Sequence, residues 1–175
     1  MLVITGTLFF FHHRGHGGHG VLLIKQKKLY VLCALCGEFP YLCSVMEKFE
    51  LHILGCGSAL PTTRHFATSQ VVNVRDKLYM IDCGEGSQLQ FRKSRLKFSR
   101  LNHIFISHLH GDHCFGLLGL ISTLNLLGRT AELHIHSPKG LEALFVPMLS
   151  FFCRQMTYQV LFHEFETKEP GMIYE

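Results

Sequence analysis

Apolar and polar side chains alternate over residues 47–55, Glu-Lys-Phe-Glu-Leu-His-Ile-Leu-Gly, and this period of two predicts a first strand. Gly55-Cys56-Gly57-Ser58 ends it as a tight turn. Residues 71–74 and 78–82 read as two more strands, with Arg75-Asp76-Lys77 between them as a hairpin turn. Cys83-Gly84-Glu85-Gly86 is a second glycine turn, and residues 87–93 begin a helix. Residues 103–107 predict a buried strand. Residues 115–127 are apolar almost all round, which predicts a buried helix closed by Gly128. Residues 133–136 predict another strand, and Ser137-Pro138-Lys139-Gly140 a turn. A helix is expected over 141–152, kinked or broken at Pro147, and a last strand over 159–165. Strands alternating with helices imply an α/β fold.

Residues 1–45 have a different texture. They hold an apolar start, a His/Gly tract from His12 to Gly20, a basic stretch at Lys25–Lys28 and a short apolar run at 29–36. The basic and apolar runs mimic a signal peptide, but they lie too far in, and Cys36-Gly37-Glu38 is a poor cleavage site. His16 and His19 are spaced to bind metal weakly. Cys33 and Cys36 have redox or zinc-ligand spacing without a second pair. Residues 1–45 are therefore expected to be an atypical extension, with Met46 the biological start, and residues 46–175 the domain proper.

Composition narrows the picture only a little. The chain has 175 residues, 47% hydrophobic and 17% charged, which fits one folded domain and excludes a disordered chain. A net charge of +4 is compatible with a polyanionic partner. Seven cysteines at irregular spacings imply no disulfide framework and suit a reducing cytoplasm. No run reaches the roughly 18 continuous apolar residues that would span a bilayer.

The chemistry is concentrated after the strand at 103–107. His108-Leu109-His110-Gly111-Asp112-His113 packs three imidazoles and a carboxylate into six residues, the ligand types of zinc and other borderline divalent metals. Alternate histidines in an extended turn point the same way, so His108 and His110 can grip one ion. Asp112 and His113 then face a second position. A two-metal centre, its ions roughly 3.5–4 Å apart, explains this density better than one ion. Gly111 leaves the backbone room to bend around an ion.

Three segments together resemble the ribonuclease Z family, the transfer-RNA 3′-processing endonucleases of the metallo-β-lactamase superfamily. They are Leu54-Gly55-Cys56-Gly57-Ser58-Ala59-Leu60-Pro61-Thr62, Ile81-Asp82-Cys83-Gly84-Glu85-Gly86-Ser87-Gln88, and residues 104–113 followed by Gly116-Leu117-Leu118-Gly119-Leu120. The resemblance covers residues 46–175 and implies roughly the N-terminal half of an αβ/βα four-layer sandwich. It implies two zinc ions, with His108 and His110 on the first and Asp112 and His113 on the second. It makes Asp112 the candidate general base. It also implies a precursor tRNA substrate, cleaved to leave a 3′-hydroxyl on the tRNA, and a homodimer. Another metallo-β-lactamase-fold phosphodiesterase or hydrolase, or an inactive metal-binding fragment, are the alternatives.

Other residues have physical readings of their own. Asp82, at a strand end, can orient a ligand histidine by accepting its second N–H, or can cap a turn. Glu85 favours a helix N-terminus. Arg64 and His65, in a loop resembling the family's substrate loop, are candidates to contact phosphate. The family arginine usually stands where this chain has His65, and an asparagine where it has Phe66. Residues 92–100 form a basic stretch that either binds phosphates or is a solvated helix face. The family uses three further metal ligands. His134, His136 and His163 match none of their positions, so the chain reads as a truncated piece, expected to bind metal weakly and to lack activity alone.

Overall fold

The computed structural model describes residues 48–60 and 62–166. The 1–45 extension, with His16, His19, Cys33 and Cys36, lies outside the described residues, as does Pro61.

Among the described residues, six strands form one sheet in the order of the chain: β1 Phe49–Gly55, β2 Ser69–Val74, β3 Lys77–Cys83, β4 Leu101–Phe105, β5 Leu133–Pro138 and β6 Val160–Phe165. β1, β2 and β3 are antiparallel, whereas β3 through β6 run parallel. Parallel neighbours need crossovers. These carry α1 Ser87–Lys93, the short α2 Gly111–Cys114, α3 Leu117–Leu126 and α4 Leu141–Phe152. A 3₁₀ turn at Phe98–Arg100 precedes β4.

Three expectations are corrected. The β2–β3 turn is two residues long: Val74 pairs with Lys77, and Arg75 and Asp76 both take positive φ (51° and 66°), as a type I′ hairpin requires. Lys77 therefore belongs to a strand. Ser137 and Pro138 continue β5 and leave only Lys139-Gly140 to turn. The helix expected over 115–127 is the shorter α3, Leu117–Leu126, which follows the separate turn of α2, and it is not buried all round. Leu117, Leu120, Ile121 and Leu124 form one buried stripe, while Phe115 and Leu126 are 72% and 83% exposed. One sheet beneath a helix can cover only one of its faces. α4 runs through Pro147, whose exposed side chain lies off the buried Leu141-Phe145-Leu149 stripe.

The core lies between the sheet and the helices. Met80, Ile104 and Ile135 point from β3, β4 and β5 onto Phe91, Leu117, Leu120, Ile121 and Leu141, all at 0% exposure. Arg129, just past Gly128 at the end of α3, is buried yet satisfied: it donates to the carbonyls of Leu101 and Ala131 and to Asn102 Oδ1. It ties the α3–β5 connection to β4.

The opposite sheet face carries alternate residues of the same strands, among them Tyr79, His103, Phe105, His134, His136 and His163. Register places His103, His134 and Leu161 in one row and Phe105, His136 and His163 in the next. The histidines stack: His103 Nδ1 lies 3.2 Å from His136 Nε2, and His134 Nδ1 lies 3.0 Å from His163 Nε2. Burial, then the repulsion of neighbouring imidazoles, pushes both His103 and His136 down to about 4. Because these folded-state values lie below the ordinary 6.5, the unfolded chain binds more protons in between. Their contribution to stability is therefore complete above about pH 6.5 and is lost as pH falls toward about 4. Urea midpoints measured across that window should fall with acidification, and His136→Phe should flatten the slope. An unchanged slope in the variant would rule His136 out as a contributor.

Candidate metal centre

β3 and β4 run parallel, and their C-terminal ends bring together two segments distant in sequence. Crevices at such strand ends are the usual ligand sites of parallel sheets. β3 ends on Asp82 and Cys83, and β4 leads through Ile106 and Ser107 into His108.

Asp82 is the hub. Its carboxylate accepts from the Ser107 backbone N–H at 2.8 Å, from Ser107 Oγ at 2.9 Å and from His113 Nδ1 at 2.8 Å. The Asp82 backbone is in the left-handed region (φ 57°), rarely occupied by a residue other than glycine. Its partners lie across the β3–β4 junction, so its bonds do more than cap a local turn. The Nδ1 contact leaves His113 Nε2 toward Asp112, whose Oδ2 is 3.5 Å away.

His108, His110, Asp112 and His113 all lie in this one loop and first helical turn. The His108 ring stands 3.8 Å from His113 and 4.7 Å from His110, centroid to centroid. Asp112 and His113 sit on the helical turn of α2 rather than in extended chain. Gly111 opens that turn, and a side chain there would strike the Phe115 ring, a packing reason for glycine that the sequence does not show. Among the described residues, no three His, Cys, Asp or Glu side chains are arranged to hold one ion. The donor chemistry nevertheless fits a divalent metal in part: imidazoles at two sites, one carboxylate, and a second carboxylate fixing a ring from behind. Burial pushes the Cys83 thiol nearby up to about 12 and also raises Cys114.

Asp112 is held by a third segment. The Ala59 N–H donates to Asp112 Oδ2 at 2.9 Å, and this bond keeps the carboxyl below the usual carboxylate range. The glycine turns make this reach possible. A Cβ on Gly84 would collide with the Asp112 carbonyl and Ala67, and one on Gly55 with the Ala67 carbonyl.

A cleft of about 390 Å³ opens beside Asp112, lined also by His65, Phe66, Glu85 and Phe115. Thr62 Oγ1 shapes its loop by accepting from the His65 N–H at 2.9 Å and the Arg64 N–H at 3.3 Å. His65 therefore faces the same cleft as Asp112. Arg64 is exposed and is not among the residues lining it. Of the basic stretch, Arg100 pairs with Asp76 at 2.7 Å and Lys93 lies over the Phe66 ring at 5.5 Å. His134, His136 and His163 stand on the open sheet face, in contact with one another and with His103. Three contributors escaped the sequence reading. Ser107 and Ala59 act through contacts between segments. Gly84 stood only as a turn residue.

The helix-backed sheet with a His-x-His-x-Asp-His loop at its strand ends is a metallo-β-lactamase fold. Human tRNase Z, short form, has the same fold at a TM-score of 0.61 and 36% identity, over 65% of this chain and 44% of that one. A metallo-β-lactamase fold protein from Bacillus subtilis matches in fold alone, at a TM-score of 0.53 and 17% identity, over 70% of this chain and 48% of that one. A family model described as Anti-Pycsar protein Apyc1 matches residues 49–143, more than half of the chain. Ribonuclease Z of Bacteroides thetaiotaomicron is 83% identical over 130 residues, 74% of this chain and 41% of that protein. Ribonuclease Z of Parabacteroides distasonis is 62% identical over 130 residues, 74% of this chain and 43% of that protein. The chain belongs to the family of that model, and over 130 residues it is similar to these ribonucleases Z. It spans about two fifths of the length of these curated relatives.

Proposed function

We propose that this segment supplies half of the metal-binding site of a zinc-dependent endoribonuclease that removes the 3′ trailer of precursor tRNA. One observation carries the reading: Asp82 and the Ala59 amide hold His113 and Asp112 side by side in a chain 83% identical to a ribonuclease Z. His108 and His110 would hold one ion and Asp112 and His113 the other. Zinc, when bound, supplies a water acidic enough to act as nucleophile near neutral pH. Asp112, beside the ligand histidines, would be the group that accepts a proton from the attacking water. The Ala59 hydrogen bond favours the ionised carboxylate that this role needs. His65 and Arg64 approach the substrate phosphates from the cleft loop. The cut leaves a 3′-hydroxyl on the tRNA and a 5′-phosphate on the trailer.

Free Cys56, Cys83, Cys114 and Cys153 suit a cytoplasmic location. Among the described residues, no helix is long and apolar enough to cross a membrane. The full-length protein acts as a homodimer. This segment by itself binds zinc weakly and does not cleave, because each ion receives only two of the usual three protein ligands from it.

A second reading, another metallo-β-lactamase-fold phosphodiesterase, is favoured by the description of the matching family model. Incubation of the full-length protein with a 3′-extended precursor tRNA separates the two. Cleavage at the 3′ side, abolished by a chelator and restored by zinc, is expected. Hydrolysis of small phosphodiesters with the precursor left intact would select the second reading.

A further inference from the structure

We propose that Ser107 is a positioning residue that sets the tautomer of His108, so that one carboxylate, Asp82, orients two metal-binding histidines. This rests on the reading of His108 and His113 as ligands. The argument is a count of protons. Asp82, as a carboxylate, can only accept. It takes the Ser107 N–H at 2.8 Å, the His113 Nδ1–H at 2.8 Å and the Ser107 hydroxyl proton at 2.9 Å. A hydroxyl has one proton to give. With it committed to Asp82, the same Oγ, 3.0 Å from His108 Nδ1, must accept there. His108 therefore carries its proton on Nδ1 and presents the Nε2 lone pair. His113 does the same through its direct bond to Asp82.

The 3.3 Å separation of Ser107 Oγ from His113 Nδ1 fits this scheme, since that N–H is already directed at Asp82 Oδ2. The backbone amide of Ser107, bound to the other carboxylate oxygen, keeps the hydroxyl from drifting. Two of the three bonds Asp82 accepts thus come from one serine. A wrong tautomer would place an N–H where a metal lone pair is needed, and partners of this kind typically change metal affinity by about 10–100-fold.

The test uses the full-length protein with ¹⁵N-labelled histidine and no metal. Long-range ¹H–¹⁵N spectra at about pH 8, where ordinary imidazoles are neutral, show which ring nitrogen holds the proton. His108 and His113 should both be Nδ1–H in the native protein. In Ser107→Ala, His113 should stay so, while His108 shifts toward the Nε2–H form. Ser107→Thr, which keeps the hydroxyl, should restore it. Zinc competition with a chromophoric chelator should show affinity lowered about 10–100-fold in Ser107→Ala and recovered in Ser107→Thr. A native His108 protonated on Nε2 would overturn the proposal, and so would a Ser107→Ala protein with unchanged tautomer and affinity. The native spectrum decides even if the alanine variant does not fold. Neither readout depends on cleavage, so a protein that fails on precursor tRNA but shows these tautomers refutes the nuclease and leaves Ser107 in place.

Discussion

We expect full-length protein carrying His108→Ala or His110→Ala to lose the proposed 3′ processing of precursor tRNA almost entirely, and Asp112→Ala to be at least as harmful. On the proposed ligand assignment, each histidine change deletes one of the two donors that this segment gives that ion. The remaining ligand pair cannot hold its ion in place, and a two-ion clamp works only when both ions are held. Asp112→Ala removes a donor and the proton acceptor together. Loss of a general base alone costs about 10²–10⁴-fold in rate. It also strands the Ala59 N–H, which then has no carboxylate to hold the loop at residues 57–60. Single-turnover cleavage, read beside metal content, tells the two losses apart. Asp112→Asn keeps the shape and an acceptor oxygen but cannot take the proton, so its rate should fall further than its metal content. An Asp112→Ala protein that cleaves fully with metal content unchanged would falsify the role given to this residue.

Gly84→Ala should be the most damaging change outside the ligands themselves. The added methyl has nowhere to go. It meets the Asp112 carbonyl on one side and Ala67 on the other, and backbone on backbone cannot rotate away. Gly84 also donates its N–H to the Thr68 carbonyl at 3.0 Å, while its carbonyl accepts the Ser87 hydroxyl at the start of α1. The collision must therefore separate the β3–α1 turn from the metal loop. Forcing extra volume into a packed site costs about 1–3 kcal/mol, and a rigid backbone contact sits at the upper end. The same shift carries Asp112 away from the Ala59 amide. Thermal melting should show a clear loss of stability, and metal affinity should fall with it. A Gly84→Ala protein with native melting and native affinity would show that the three segments are not wedged together as described.

Much of this architecture could be read from the chain. Alternation at 47–55 and 78–82, the glycine turns and the apolar runs located most strands and helices, because a period of two or of 3.6 reports which face will be buried. The candidate donors at 108–113 stood out for a similar reason: they fall within six residues, and their chemistry does not depend on the fold. Periodicity failed where burial depends on what lies opposite. Residues 115–127 are apolar all round, but the fold covers only one stripe of them, so Leu126 and Phe115 stay exposed. It failed also at Pro138, whose place in a strand depends on pairing with Phe165.

The sequence by itself determined the α/β alternation, the family likeness and the four candidate donors, since each is a local pattern of residue types. Only the tertiary structure decided how those donors are held. Ala59, Asp82 and Asp112 are separated by 23 and 30 residues, yet hydrogen bonds and close glycine contacts join their segments. Such bonds act over about 3 Å, and no spacing along the chain encodes them. They form because parallel pairing of β3 with β4 brings two strand ends together, and the glycines let the backbones meet there.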